Sequence, residues 1–132
     1  MKIMLTGQIR SGKNDASYWL QRFHDPYCRK TRMNLLPGSL NLELDSGFDW
    51  YASQYQTSIV WFEREEYGGE RDILLLPCIL PDLDARPAFL WPTTTAAQDR
   101  PNKNLIEVIT DVPLRASYGL MDGDAVDLEL NL

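Results

Sequence analysis

Ser39 and Asn41 stand two residues apart in PGSLN (37–41), a hydroxyl and a carboxamide directly after a Pro-Gly pair. From Leu40 the chain alternates. Leu40, Leu42 and Leu44 mark one face of a half-buried strand, so Ser39 and Asn41 point together to the other side. Two neutral oxygen donors of this kind suit Mg²⁺ shared with nucleotide phosphates, because that ion takes few protein ligands and keeps water and phosphate oxygen for the rest. The plainer reading is turn chemistry: Pro37-Gly38 sets a type II turn and Ser39 bonds nearby backbone. Taken by itself, the stretch favours the turn.

Three further stretches carry groups able to meet an anion or a hydroxyl. GQIRSGKND (7–15) places glycines, Arg10 and Lys13 near a strand end, where backbone N–H groups can approach a phosphate. It is not a P-loop, since no Ser or Thr follows Lys13 and the spacing differs, and an ordinary hairpin loop explains it better. In LRASYGLMDGDAV (114–126), Arg115 is one of six basic residues beyond residue 33, and its planar fork suits a phosphate. Asp122-Gly123-Asp124 reads as a turn into the last strand, without the other ligand positions of a calcium loop. The Thr93–Thr95 run and Glu107, between Ile106 and Val108, are unremarkable alone; alternation turns Glu107 outward. His24, the single histidine, has no Ser or Cys partner arrangement and reads as structural or surface. Cys28 and Cys78 form no CxxC pattern. They read as reduced, mostly buried thiols, and are too few for a Cys₄ zinc site.

The elements that position these groups are mostly strands. Lys2–Arg10 reads as a strand interrupted by Gly7, and 11–16 as a turn-rich loop. SYWLQRF (17–23) fits helix and strand equally. Asp25-Pro26 looks like an N-cap and first helical position for a helix running to about Met33. Strands are expected at 40–44, 57–63, 72–80, 88–91, 105–111 and 125–132. Pro77 inside the fourth of the seven argues for an edge, a bulge or a break. EREEYGGER (63–71) reads as a hairpin connection, 93–104 as a polar mobile loop, and 113–120 as room for one helical turn. The sum is a mainly β protein, a barrel or sandwich with one or two short helices, in a single domain over 1–132.

At 132 residues, 44% hydrophobic and 24% charged, the chain has the make-up of a globular domain with a real core. No apolar run reaches the length of a membrane span, and MKIMLTGQIR lacks a signal-peptide core, so a soluble cytoplasmic protein is expected. The net charge is −6, unevenly spread. Residues 1–33 hold seven Lys/Arg against two Asp, a balance of +5; the remainder holds six against seventeen acidic residues, or −11. That distribution argues against a nucleic-acid partner. The basic quarter suits a small phosphorylated ligand, although a solvated face explains it as well.

In their order along the chain these stretches resemble the archaeal-type CTP-dependent riboflavin kinases. The shared pattern is GQIRSGKNDASY, then PGSLN, PTTT (92–95), LIEVI with its Glu, and LR followed by GLMDGDAV. It covers essentially the whole chain, and PGSLN with LR…GLMDGDAV is its specific part. The resemblance implies a small closed Greek-key β-barrel of the cradle-loop type. It implies phosphoryl transfer from a nucleotide, CTP favoured, to the 5′-hydroxyl of riboflavin, making FMN. Ser11, Gly12, Lys13, Asn14, Asp15, Ala16, Ser17 and Tyr18 would cover the nucleotide, with Leu114, Arg115 and Ala116 lining its pocket. Ser39 and Asn41 would hold Mg²⁺, and Thr95 and Glu107 would contact the flavin. Glu107 and Asn41 would be the catalytic pair, Glu107 orienting the attacking hydroxyl. The sequence departs from the family pattern mainly on the nucleotide side. Asn14 and Ala16 replace common glycines, Ser17 a frequent basic residue, and Ala116 a common acidic one, while Ser39 replaces Thr in the metal motif. A non-catalytic nucleotide- or flavin-binding module on the same barrel is the alternative.

Overall fold

A computed structural model describes residues 1–11, 15–69, 72–94 and 101–132, without the side chains of 15, 93, 94 and 101–103. Its seven strands are β1 (Lys2–Ile9), β2 (Leu40–Leu44), β3 (Val60–Phe62), β4 (Ile73–Leu80), β5 (Arg86–Thr94), β6 (Pro101–Ile109) and β7 (Ala125–Asn131). Neighbours follow the order β3-β4-β5-β6-β2-β1-β7, and β4 also pairs with β7. That last pairing closes six strands into an antiparallel barrel and leaves β3 as an extra strand on β4. The mainly β closed barrel expected from the sequence is therefore present. Closure removes the open edges that a seven-strand sheet would otherwise expose.

Alternation explains the core. Leu76, Leu90, Val108 and Leu40 are register partners across β4, β5, β6 and β2, and all four are buried inside the barrel. Val126, Leu128 and Leu130 of β7 join them, as the clean alternation of the last segment predicts. The opposite faces of β4, β5 and β6 carry Ile73, Leu75, Phe89, Trp91 and Ile109 into a second core. Two helices, α1 (Asp15–Arg22) and α2 (His24–Thr31), cover it with Ala16, Leu20 and Tyr27. Both faces of these strands are buried, which is why 72–80 reads as a continuous apolar run.

Several local expectations are corrected. The ambiguous 17–23 segment is helical because its aromatic and apolar side chains meet the second core; Trp19 and Phe23, one turn apart, stack at 5.8 Å. Asp25 does not cap α2. The cap position is Phe23, and Asp25 and Pro26 lie in the first turn, where Pro is tolerated because that N–H has no helical acceptor. The 63–71 connection contains a helical turn, α3 (Arg64–Tyr67), closed by reciprocal bonds between Glu63 and Glu66. Strand 57–63 shrinks to β3. Pro77 does not break β4. It is exposed opposite Phe89 of β5, between the stretch of β4 paired with β3 and Ile79, which pairs with β7, so its missing N–H is tolerated there. Strand 88–91 lengthens to β5, taking in Pro87 and Pro92, and 101–104 belongs to β6 rather than to a loop. The remainder of that expected loop, 95–100, lies outside the described residues. A fourth helix, α4 (Leu114–Tyr118), occupies the turn foreseen at 113–120. Among the described residues there are thus four short helices besides a 3₁₀ turn at Ser53–Tyr55, rather than one or two.

Gly7 does not interrupt β1. A side chain there would press on the Glu43 carbonyl at 3.2 Å, so the position accommodates the close approach of β2. Both cysteines are free. Cys78 is buried and its thiol is pushed up to about 12 by desolvation. Cys28 is only half-buried, short of the burial expected for it. A thiol reagent is expected to modify Cys28 in the folded protein and Cys78 only after unfolding; fast modification of both would contradict this burial.

Candidate active site

Asn41, Glu107 and Trp91 form a row across β2, β6 and β5, each the register partner of the next. Alternation turns this row away from the barrel core, toward α1 and α2. Glu107 is fully buried there. A buried carboxylate needs hydrogen-bond donors, and two are in place. Ser39 Oγ donates to Glu107 Oε1 at 2.8 Å. The Ala16 backbone N–H, in the first turn of α1, reaches both carboxylate oxygens at 3.3 and 3.4 Å. Alternation does take Glu107 away from the barrel interior, but the outward position expected for it is not exposed, because α1 covers it.

Ser39 also stands on the rim of a cleft of about 480 Å³. The walls are the Leu36–Leu40 segment, Val108, Thr110, and Val112 through Ala116. The cleft thus brings together Ser39 and the expected pocket residues Leu114, Arg115 and Ala116. Asn41 is half-buried beside it in sequence, and its carbonyl accepts the Arg10 N–H at 3.0 Å. Ser39 and Asn41 offer neutral oxygens, and no cluster of three or more His, Cys, Asp or Glu suited to a metal occurs among the described residues. Ser39 gives its only hydrogen to Glu107, which leaves its oxygen lone pairs able to meet a cation such as the implied Mg²⁺.

The nucleotide segment is partly visible. Gly12, Lys13 and Asn14 lie outside the described residues, as do the Asp15 side chain and Thr95. Ser11 is exposed at the exit of β1, Ser17 is half-buried on α1, and Tyr18 is 55% exposed. Ser11 is tied to the far wall of the cleft by a residue that sequence reasoning assigned only to a turn. Asp122 accepts from Ser11 Oγ at 2.7 Å and from Arg115 Nη2 at 2.6 Å. The Ser11 hydrogen bond first, and then the Arg115 guanidinium, hold the Asp122 carboxyl below the usual carboxylate range. The turn itself is fixed by Asp124, which accepts the Met121 N–H at 2.8 Å, and by Gly123, whose N–H bonds the Ile9 carbonyl at 2.8 Å. Gly123 has φ +90°, a conformation that favours glycine. A three-residue D-G-D turn beside an isolated arginine was the available signal for this bridge.

His24 Nε2 lies 2.7 Å from the Leu35 carbonyl and 3.4 Å from Cys28 Sγ, a cysteine neighbour one helical turn away that was not expected from the sequence. No helix among the described residues is long and apolar enough to cross a membrane.

Two curated relatives align along nearly the whole chain. A riboflavin kinase of Methanospirillum hungatei JF-1 is 29% identical over 138 residues, covering 98% of this chain and 58% of its own length. A riboflavin kinase of Staphylothermus marinus is 26% identical over 128 residues, covering 97% of this chain and 92% of its own length. The chain therefore spans a little over half of the first relative and nearly all of the second. Residues 9–130 match the model of the CTP-dep_RFKase family, described as domain of unknown function DUF120, and the chain belongs to that family.

Proposed function

We propose that this protein is a Mg²⁺-dependent riboflavin kinase with CTP as donor. The observation that carries the reading is the placement of Ser39, which joins the Arg115-lined cleft on one side and the buried Glu107 carboxylate on the other. Donor and acceptor would meet there. The 5′-hydroxyl oxygen of riboflavin forms a bond to the γ-phosphorus, the β–γ bridging P–O bond breaks, and the nucleoside diphosphate leaves with the electron pair. Glu107 orients the hydroxyl and accepts its proton as the new O–P bond forms, in competition with the long Ala16 contacts. Ser39 and Asn41 would hold Mg²⁺, which would supply neutralisation of phosphate charge. Positioning and charge neutralisation account for most catalysis of this type, so few reactive side chains are required.

The reading is tested by incubating the protein with riboflavin and Mg²⁺, offering CTP, ATP, GTP or UTP separately, and resolving the products by chromatography. FMN with CTP is the expected result. No FMN with any donor would leave a binding module on the same barrel. Glu107→Gln is expected to lower turnover by about a hundredfold, in the range of a positioned acid–base group; unchanged turnover would remove that role.

Asp122 supports the nucleotide side. Its bridge spans exposed groups, so Asp122→Ala is expected to raise the nucleotide KM only modestly, by roughly threefold, with turnover unchanged. The pH dependence has a definite sign. A depressed carboxyl pKa means the bridge is intact above the ordinary value of about 3.9 and is lost as pH falls through the depressed one. Nucleotide affinity measured from neutral pH downward should lose this contribution only in acid, and Asp122→Asn should lack that step.

A further inference from the structure

Glu107 has a second task that a flavin contact alone does not explain. Its carboxylate accepts the Ser39 hydroxyl at 2.8 Å, and its β2 register partner is Asn41. It thus stands beside both residues expected to hold the cation. We propose that Glu107 is a positioning residue for that cation, acting through Ser39; this rests on the riboflavin kinase reading.

The argument is one of hydroxyl geometry. A serine hydroxyl has a single hydrogen and two lone pairs, and it rotates to suit its neighbours. Fixed on Glu107, the hydrogen points away from the cleft and the lone pairs remain for the ion. Serine lacks the γ-methyl that restricts threonine about χ1, so the rotor here depends more on its partner. Ser39 and Asn41 are both neutral, and the fully buried Glu107 carboxyl stands beside them, bonded to Ser39 and paired in register with Asn41. Such outer carboxylates orient a ligand and strengthen its hold on a metal. The Ala16 N–H contacts keep the carboxylate in place from the helix side.

The test reads cation binding, not turnover. Mn²⁺ is titrated by electron paramagnetic resonance with nucleoside diphosphate present and riboflavin absent, in the unmodified protein, Glu107→Gln, Ser39→Ala and the double variant. Glu107→Gln should weaken Mn²⁺ by about ten- to a hundredfold. In the Ser39→Ala background the same change should add little, because its route to the ion is already gone. Glu107→Asp keeps the charge but withdraws the carboxylate by one methylene, and should weaken Mn²⁺ as well; it serves if the Gln variant does not fold. Unchanged Mn²⁺ affinity in the Glu107 variants would overturn the proposal, as would equal weakening with and without Ser39. FMN formation by the unmodified protein is measured in parallel. FMN formed without these effects removes the positioning role alone, whereas no FMN with any donor removes the kinase reading and this role with it.

Discussion

Replacing Ser39 and Asn41 together by alanine is expected to lower FMN formation by roughly a thousandfold or more. A metal ion contributes several kcal/mol of charge stabilisation to such a transfer, and ~4 kcal/mol is already a thousandfold in rate. Both residues are half-buried and neither belongs to the barrel core, so the loss should come without a comparable loss of fold. The measurement is initial FMN production at saturating riboflavin and CTP, beside a thermal melt of the same samples. Chelating the metal from the unmodified protein should reproduce the effect, and restoring Mg²⁺ should reverse it. A double variant that retains most of its activity would show that the cation is held elsewhere.

Leu90→Ala is the largest stability change expected. Leu90 is fully buried in β5, with Leu76 and Val108 as register partners on either side. Shortening it removes buried methylene groups and leaves a cavity that three closely packed strands cannot readily fill. The cost expected for such a truncation is about 2–5 kcal/mol. For a domain of this size the melting temperature should fall by roughly 10 °C. Trp61→Ala is the contrast: Trp61 is 43% exposed on β3, outside the closed ring, and its loss should cost far less. Equal shifts for the two variants in thermal denaturation would contradict the packing described.

The barrel was legible because its strands obey simple alternation. β7 shows Val126, Leu128 and Leu130 inward, and β2 shows three leucines on one side with Asn41 and Glu43 on the other. Legibility failed where burial came from outside the local strand. The 17–23 segment was ambiguous because its aromatic residues are set by Tyr67 and the strand faces, which lie outside the pattern being read: Trp19 stacks on Phe23, and Phe23 meets Tyr67 edge-on. The ends of β5 lie beyond the short apolar run 88–91 because strand pairing continues through the flanking Pro87 and Pro92. Within the site, spacing alone put Ser39 and Asn41 on one side of a strand. The assignment of Glu107 and of the 114–116 pocket came from the family resemblance, and the structure brings Ser39, Glu107 and that pocket into one neighbourhood. The Asp122 bridge joins Ser11 to Arg115 across more than a hundred residues, a relation that no local pattern carries.

The most direct test of this account follows the phosphorus atom. The protein is incubated with riboflavin, Mg²⁺ and CTP carrying radioactive phosphorus at the γ position, and the flavin products are separated and counted. The account predicts label in FMN, matched by an equal amount of cytidine diphosphate, and none when Mg²⁺ is withheld. Label that remains in CTP or appears only as free phosphate, with riboflavin unchanged, would contradict it.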